Sequence, residues 1–316
     1  MAIPPKFLIQ TAQFVWKTMW QTMMSQLAPS DRQGNFQRVE SQFRDSIGSE
    51  QFPAANKRYR LYVGLTCPWA HRTMVTRVLK GLEDCIEMSV AIADVSVGGW
   101  RLENDPTGCG SMKELYKLAQ PGYSGRCSVP VLLDCETNSI VNNESSEIIV
   151  MLNNHFNKWA KYPERDLYPE DLREEGDRLN DLIYRTVNNG VYKCGFATTQ
   201  AAYDKAVTEL FDTLDLLEKR LGDRRYLLGN EITLCDVRLF TTLIRFDLVY
   251  HGLFKCNYCR IRDYENLWNY LKNIYQQPSI ANTCPLEIIK QEYYTSLFPL
   301  NPGGIIPISY KLANLK

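Results

Sequence analysis

The sequence predicts a two-domain chain, an α/β domain over residues 57–160 followed by an all-helical domain over residues 171–298. Three observations carry this prediction. An apolar strand-like run, Tyr59-Arg60-Leu61-Tyr62-Val63-Gly64-Leu65, leads through Cys67-Pro68-Trp69-Ala70-His71-Arg72 into a helical pattern of Met74, Val75, Val78 and Leu79. Two short apolar runs over 128–134 and 139–143, with a turn signal between them, read as a hairpin. From residue 171 onward helical periods dominate and strand signals vanish.

The elements follow in order. Ile9, Trp16, Trp20, Met23 and Leu27 recur at helical spacing, which predicts an amphipathic helix packed on its own domain or on a partner subunit, within an N-terminal extension over 1–56. Lys17 alone is a poor basis for attachment to a membrane surface. Residues 29–53 form a polar stretch anchored by Phe36, Phe43 and Phe52. The first strand, the helix after Cys67 and an apolar run over 86–95 make a β-α-β unit, and an irregular, glycine-bearing insertion is expected over 98–125. After the hairpin, Glu144-Ser145-Ser146-Glu147 supplies cap-type residues before the apolar Ile148-Ile149-Val150-Met151-Leu152, hence a helix. A linker falls over 161–170 and a tail over 299–316. Within the helical domain, Thr233 and Asp236 are spaced to cap a buried helix reciprocally, a structural pair. The order β-α-β, then β-β-α, is that of a thioredoxin-like domain.

Cys67 stands where a thiol becomes a nucleophile. Unpaired N–H groups and the positive end of the following helix favour its thiolate, and Pro68 suits a first helical position that needs no N–H. Residue 70 is alanine, so there is no Cys-x-x-Cys, and an external thiol must resolve any mixed disulfide that Cys67 forms. Val129-Pro130 opens a strand where thioredoxin-like domains carry a cis-proline facing the active cysteine. Glu144-Ser145 falls at a helix N-terminus, a ready site for a carboxylate, with simple helix capping as the plainer alternative. Cys256 and Cys259 have metal or redox spacing but no second cysteine pair or histidine cluster, so no metal is assigned. His71, four residues along the same helix from Cys67, reads as structural.

Composition narrows the function classes. With 36 basic and 36 acidic residues there is no electrostatic case for nucleic-acid binding. Ten irregularly spaced cysteines in 316 residues argue against a secreted disulfide framework and point to a reducing, cytoplasmic compartment. No apolar run has signal-peptide or membrane-span character, so stable membrane insertion is not expected. No G-x-S-x-G elbow, Walker loop or G-x-G-x-x-G is present.

From about Phe36 to Pro307 the chain resembles the glutathione transferases, specifically the glutathionyl-hydroquinone reductases of the xi class. The likeness rests on Arg58-Tyr59 through Arg72, Gly98-Gly99-Trp100, Gly125-Arg126 through Asp134, and Asn142 through Ile148. It continues in Asn188-Asn189-Gly190-Val191-Tyr192-Lys193-Cys194-Gly195-Phe196-Ala197, Tyr293-Tyr294 and Asn301-Pro302-Gly303-Gly304-Ile305-Ile306-Pro307. The resemblance implies that the second domain is a glutathione transferase helical domain and that glutathione is the co-substrate, its sulfur near Cys67. It also implies that Val129 and Pro130 bind its cysteinyl part and that Glu144 and Ser145 hold its γ-glutamyl amine and carboxylate. Trp100 and Arg126 line the rest of that pocket, and Tyr192 with one or both of Tyr293 and Tyr294 lines a pocket for a glutathionylated aromatic substrate. A homodimer is implied as well.

The implied reaction is reductive deglutathionylation through a Cys67–glutathione mixed disulfide, resolved by a second glutathione, with a tyrosine supplying a proton to the ring. Two other readings use the same residues: an omega-like thiol transferase or dehydroascorbate reductase, and a non-catalytic glutathione transferase-like binding module. The chain departs from the class at Lys290-Gln291-Glu292, where basic residues and histidine are usual, and at Leu297-Phe298-Pro299-Leu300. Both departures bear on the aromatic pocket and leave the thiol chemistry unchanged.

Overall fold

The computed structural model describes residues 5–38 and 40–308. Helix α1 (Pro5–Leu27) precedes β1 (Tyr59–Gly64), α2 (Pro68–Lys80), β2 (Glu87–Asp94), β3 (Gly99–Leu102), α3 (Met112–Ala119), β4 (Val131–Asp134), β5 (Ser139–Asn142) and α4 (Ser145–Asn154). The strands form one sheet in the order β3-β2-β1-β4-β5, parallel only between β1 and β2. The apolar Leu61-Tyr62-Val63 run therefore lies in the central strand and is wholly buried, as a strand covered on both faces must be.

The stretch over 98–125 is not the irregular insertion expected from sequence. It holds β3, which pairs antiparallel with β2 from Ala91↔Leu102 to Asp94↔Gly99, and α3, whose Ser111 cap accepts from the Glu114 N–H. A four-residue edge strand beside left-handed Gly98, Gly99 and Asn104 is too short to show period-2 alternation. The sheet supplies the partner that the local pattern lacks.

The second domain comprises α5 (Arg173–Ile183), α6 (Gly190–Phe196), α7 (Gln200–Arg220), α8 (Leu234–Arg245), the single turn α9 (His251–Leu253), α10 (Glu265–Tyr275) and α11 (Leu286–Ser296). Wider π-helical turns at Tyr184–Asn188 and Phe246–Tyr250 follow α5 and α8. Such turns are rare and gather at functional sites; here both border the aromatic cluster described below. Buried Asp236 accepts from Thr233 N, Thr233 Oγ1, Leu227 N and Tyr270 Oη at 2.8–3.0 Å, tying the start of α8 to α10.

Helix α2 joins the two domains. Its Ala70 and Met74 pack into the α/β core, while Val75 and Leu79 pack into the helical core. A helix apolar on two faces is one buried between two layers, so Cys67 at its N-terminus sits at the domain seam.

Phe52 is buried in the first core, and Phe36 and Phe43 stack on Phe196 and Tyr116 at centroid distances of 5.6 Å each. Of helix α1, only the C-terminal part packs on its own chain. Met24 is buried and Trp20 touches the helical core, but Phe7, Leu8, Ile9, Phe14, Val15, Trp16 and Met19 are exposed. The Leu27 side chain and tail residues 309–316 lie outside the described residues. Among the described residues, no helix is long and apolar enough to cross a membrane.

Candidate active site

Cys67 is the N-cap of α2. Its backbone is extended (φ −72°, ψ 117°), Pro68 occupies the first turn, and its carbonyl already accepts from the His71 N–H at 3.0 Å. The thiol is half-buried and directed at the Val129 carbonyl, with Sγ 3.6 Å from that oxygen. The Val129-Pro130 bond is cis. The helix start and the strand entrance thus face each other across the thiol.

One cleft of about 300 Å³ contains Cys67, Trp100, Arg126, Val129, Pro130, Glu144, Ser145, Tyr192 and Tyr293. Tyr294 does not line it; its hydroxyl lies on the far side of α11, against Gly252. Adjacent helical residues point about 100° apart, so a Tyr-Tyr pair on a buried helix presents only one ring to a given cavity. Among the described residues, Cys67 is the sole cysteine of the cleft.

One end of the cleft is built at the start of α4. Glu144 caps that helix and accepts from Ser146 N and Ser146 Oγ at 3.1 and 3.0 Å, and from Ser41 Oγ at 3.1 Å. Burial pushes its carboxyl up, but these hydrogen bonds and the Arg72 charge outweigh that and hold it below the usual glutamate range. Capping and cleft-lining are therefore one geometry. Buried Arg72 donates to Asn188 Oδ1 at 2.6 Å and lies over the Trp69 ring, where Arg38 stacks 3.8 Å from the centroid. These guanidinium groups give the α4 terminus a positive surround suited to a carboxylate. Arg126, on the rim, has no carboxylate within 4 Å among the described residues, and its carbonyl accepts from Tyr123 Oη.

Trp100 is half-buried on β3 and lies on Gly64 of β1, where an added Cβ would come 2.5 Å from the indole Cη2. The bare glycine lets the ring lie flat at the end of the central strand.

The aromatic end is a hydroxyl network. Tyr192 and Tyr293 hydroxyls are 2.8 Å apart, and Tyr250 Oη is 3.2 Å from Tyr293 Oη. Burial raises all three phenols, so each keeps its proton at neutral pH. Tyr192 also stacks on Trp69 at 6.4 Å. Sequence reasoning did not nominate Trp69, Arg38, Tyr250 or Glu292. Trp69 sits inside the hexapeptide and Glu292 adjoins Tyr293 in a segment that departs from the class, so both were within reach; Arg38 and Tyr250 come from distant segments with no local signal.

His71 is wholly buried, with Nδ1 2.9 Å from Arg245 Nη1 and Nε2 2.9 Å from Thr283 Oγ1. Burial, then the Arg245 charge, lowers its pKa well below the ordinary value, so it is a neutral structural bridge. Cys256 and Cys259 are both free thiols, and buried Cys256 lies against the Val191 and Phe254 carbonyls. No group of three or more metal-ligating side chains occurs among the described residues.

The glutathione S-transferase N-terminal domain model matches residues 66–155, and the C-terminal domain model matches residues 200–273. The glutathionyl-hydroquinone reductase YqjG of Escherichia coli (strain K12) is 45% identical over 93% of both chains. A glutathione-bound structure of the Escherichia coli K-12 protein superposes with TM-score 0.81 and 46% identity, over 86% of this chain and 94% of that one. The glutathione-S-transferase Xi of Phanerochaete chrysosporium gives TM-score 0.86 and 44% identity, over 90% and 95%. The chain belongs to the Xi-class glutathione transferases. In this Xi-class chain the α4 terminus and the Val129-Pro130 edge line the same cleft as Cys67, and α5–α11 form the transferase helical domain.

Proposed function

We propose that the chain is a glutathionyl-hydroquinone reductase that uses glutathione as co-substrate, with Cys67 as nucleophile. One arrangement carries this: a single cleft cysteine facing Val129, in the same cavity as a hydrogen-bonded tyrosine pair. The conjugate binds with its glutathionyl part along Trp100, Arg126, Val129, Pro130, Glu144 and Ser145, and with its ring toward Tyr192 and Tyr293. The tyrosine network gives a proton to the sulfur-bearing carbon as a ring hydroxyl returns one, so the ring isomerises to its keto form. The Cys67 thiolate attacks the glutathionyl sulfur, and an S–S bond forms as the C–S bond breaks. That electron pair passes through the ring to the carbonyl oxygen, which leaves as a hydroquinone after protonation. A second glutathione thiolate attacks the mixed disulfide at its glutathionyl sulfur, releasing oxidised glutathione and the Cys67 thiolate. Atoms and electrons balance with no further reductant.

The absence of another cleft cysteine supports the external second thiol. Ten free cysteines support a cytoplasmic setting, and homodimerisation rests on the class resemblance alone. The test is turnover of glutathionyl-menadiol with glutathione, by wild type and by Cys67→Ser. Loss of turnover and of the glutathionyl adduct on residue 67 is expected in the variant. Equal turnover in the variant would overturn the cysteine mechanism, and activity confined to small disulfides would favour a thiol transferase.

A further inference from the structure

The cleft carries three carboxylates, and two are placed at its glutathione end: Glu144 caps α4, and Glu40 lies beside Ser41, which donates to Glu144. The third, Glu292, is different. It immediately precedes Tyr293 on α11 and faces the same cavity as Tyr293 and Cys67. It lines the cleft together with Thr66, the residue before Cys67. Glu292 has no basic side chain within 4 Å among the described residues, although Lys290, two residues earlier, pairs with Glu287 at 2.9 Å. An acid half-withdrawn from water, with no basic side chain within 4 Å among the described residues, thus lines the same wall as Tyr293.

Resting on the reductase reading above, we propose that Glu292 sets the charge selectivity of the aromatic subsite, favouring conjugates of uncharged hydroquinones and rejecting rings that bear a carboxylate or sulfonate. The physical basis is twofold. A hydroquinone carries O–H donors, and Glu292 offers acceptor lone pairs; an ionised carboxyl accepts only. An anionic ring substituent at the same wall meets a like charge in a partly desolvated cleft, where repulsion is weakly screened. Burial raises the Glu292 carboxyl, as befits an acid without a cation to offset its desolvation.

The test compares binding of two non-reducible thioethers, S-phenylglutathione and S-(4-carboxyphenyl)glutathione, by calorimetry to wild type, Glu292→Gln and Glu292→Asp. Wild type should prefer the neutral thioether, and Glu292→Gln should reduce that preference about tenfold. Glu292→Asp keeps the charge and should keep the preference, which separates loss of charge from loss of fold. An unchanged preference in Glu292→Gln, or equal binding of both thioethers by wild type, overturns the assignment. Binding is read without turnover, so a wild-type chain that discriminates yet reduces no glutathionyl-hydroquinone refutes the reductase reading alone.

Discussion

Arg245, the last residue of α8, donates from Nε to the carbonyl of Thr66 at 3.1 Å, one residue before Cys67. The same guanidinium reaches the Leu65 carbonyl at 3.2 Å and the Thr241 carbonyl at 2.8 Å, and it is wholly buried. The helical domain thereby grips the backbone that delivers the nucleophile, through donors fixed in one plane. Arg245→Ala should lose about 3 kcal/mol of stability, since it strands several buried acceptors. Arg245→Lys, with fewer donors, should lose less. Denaturant unfolding measures both, and a loss in Arg245→Ala below about 1 kcal/mol would show that these bonds are not needed.

His71 shares that grip, and its depressed pKa has a pH signature. Below its ordinary value of 6.5 the unfolded chain takes up a proton that the folded chain refuses. Stability from this group is therefore intact above 6.5 and is lost as pH falls below it, by at most about 1.4 kcal/mol per pH unit. His155 and His251 are also lowered by burial, so the informative quantity is the difference between wild type and His71→Asn. That difference should shrink as pH falls from 6.5. A difference independent of pH would show that His71 takes up its proton equally in the folded and unfolded chains.

Gly64→Ala is predicted to displace Trp100, because the new methyl would sit 2.5 Å from the indole. Overpacking of this kind costs about 1–3 kcal/mol. The glutathione KM should rise several-fold while the rate of Cys67 alkylation by iodoacetamide changes little, since the thiol and its helix are untouched. An unaltered KM would mean that Trp100 gives glutathione no wall.

The phenols make a different prediction. Tyr192→Phe should lower kcat for glutathionyl-hydroquinones by about 10²-fold, the usual scale for a positioned proton donor. Mixed-disulfide formation between Cys67 and oxidised glutathione needs no ring protonation and should be spared. Because burial raises these phenols, the wild-type rate should not decline through tyrosine ionisation as pH climbs from 7 toward their ordinary value of 10. Equal losses in both reactions would point to a structural role for the hydroxyl.

The sequence by itself determined the local chemistry: a strand-to-helix seam ending in Cys67, Pro68 at the first turn, no cysteine at residue 70, and acid-serine caps ahead of α4. These are legible because capping and periodicity act over a few residues. Resemblance, rather than periodicity, brought forward Trp100, Arg126 and the tyrosines. Tertiary structure alone decided which of Tyr293 and Tyr294 faces the cleft, that 98–125 completes the sheet, and that α1 leaves its apolar face exposed. It also brought Arg38, Tyr250, Glu292 and Arg245 to the nucleophile from segments far apart in the chain. Each of those positions depends on how two domains pack across α2, and that long-range contact has no counterpart in the spacing of neighbouring residues.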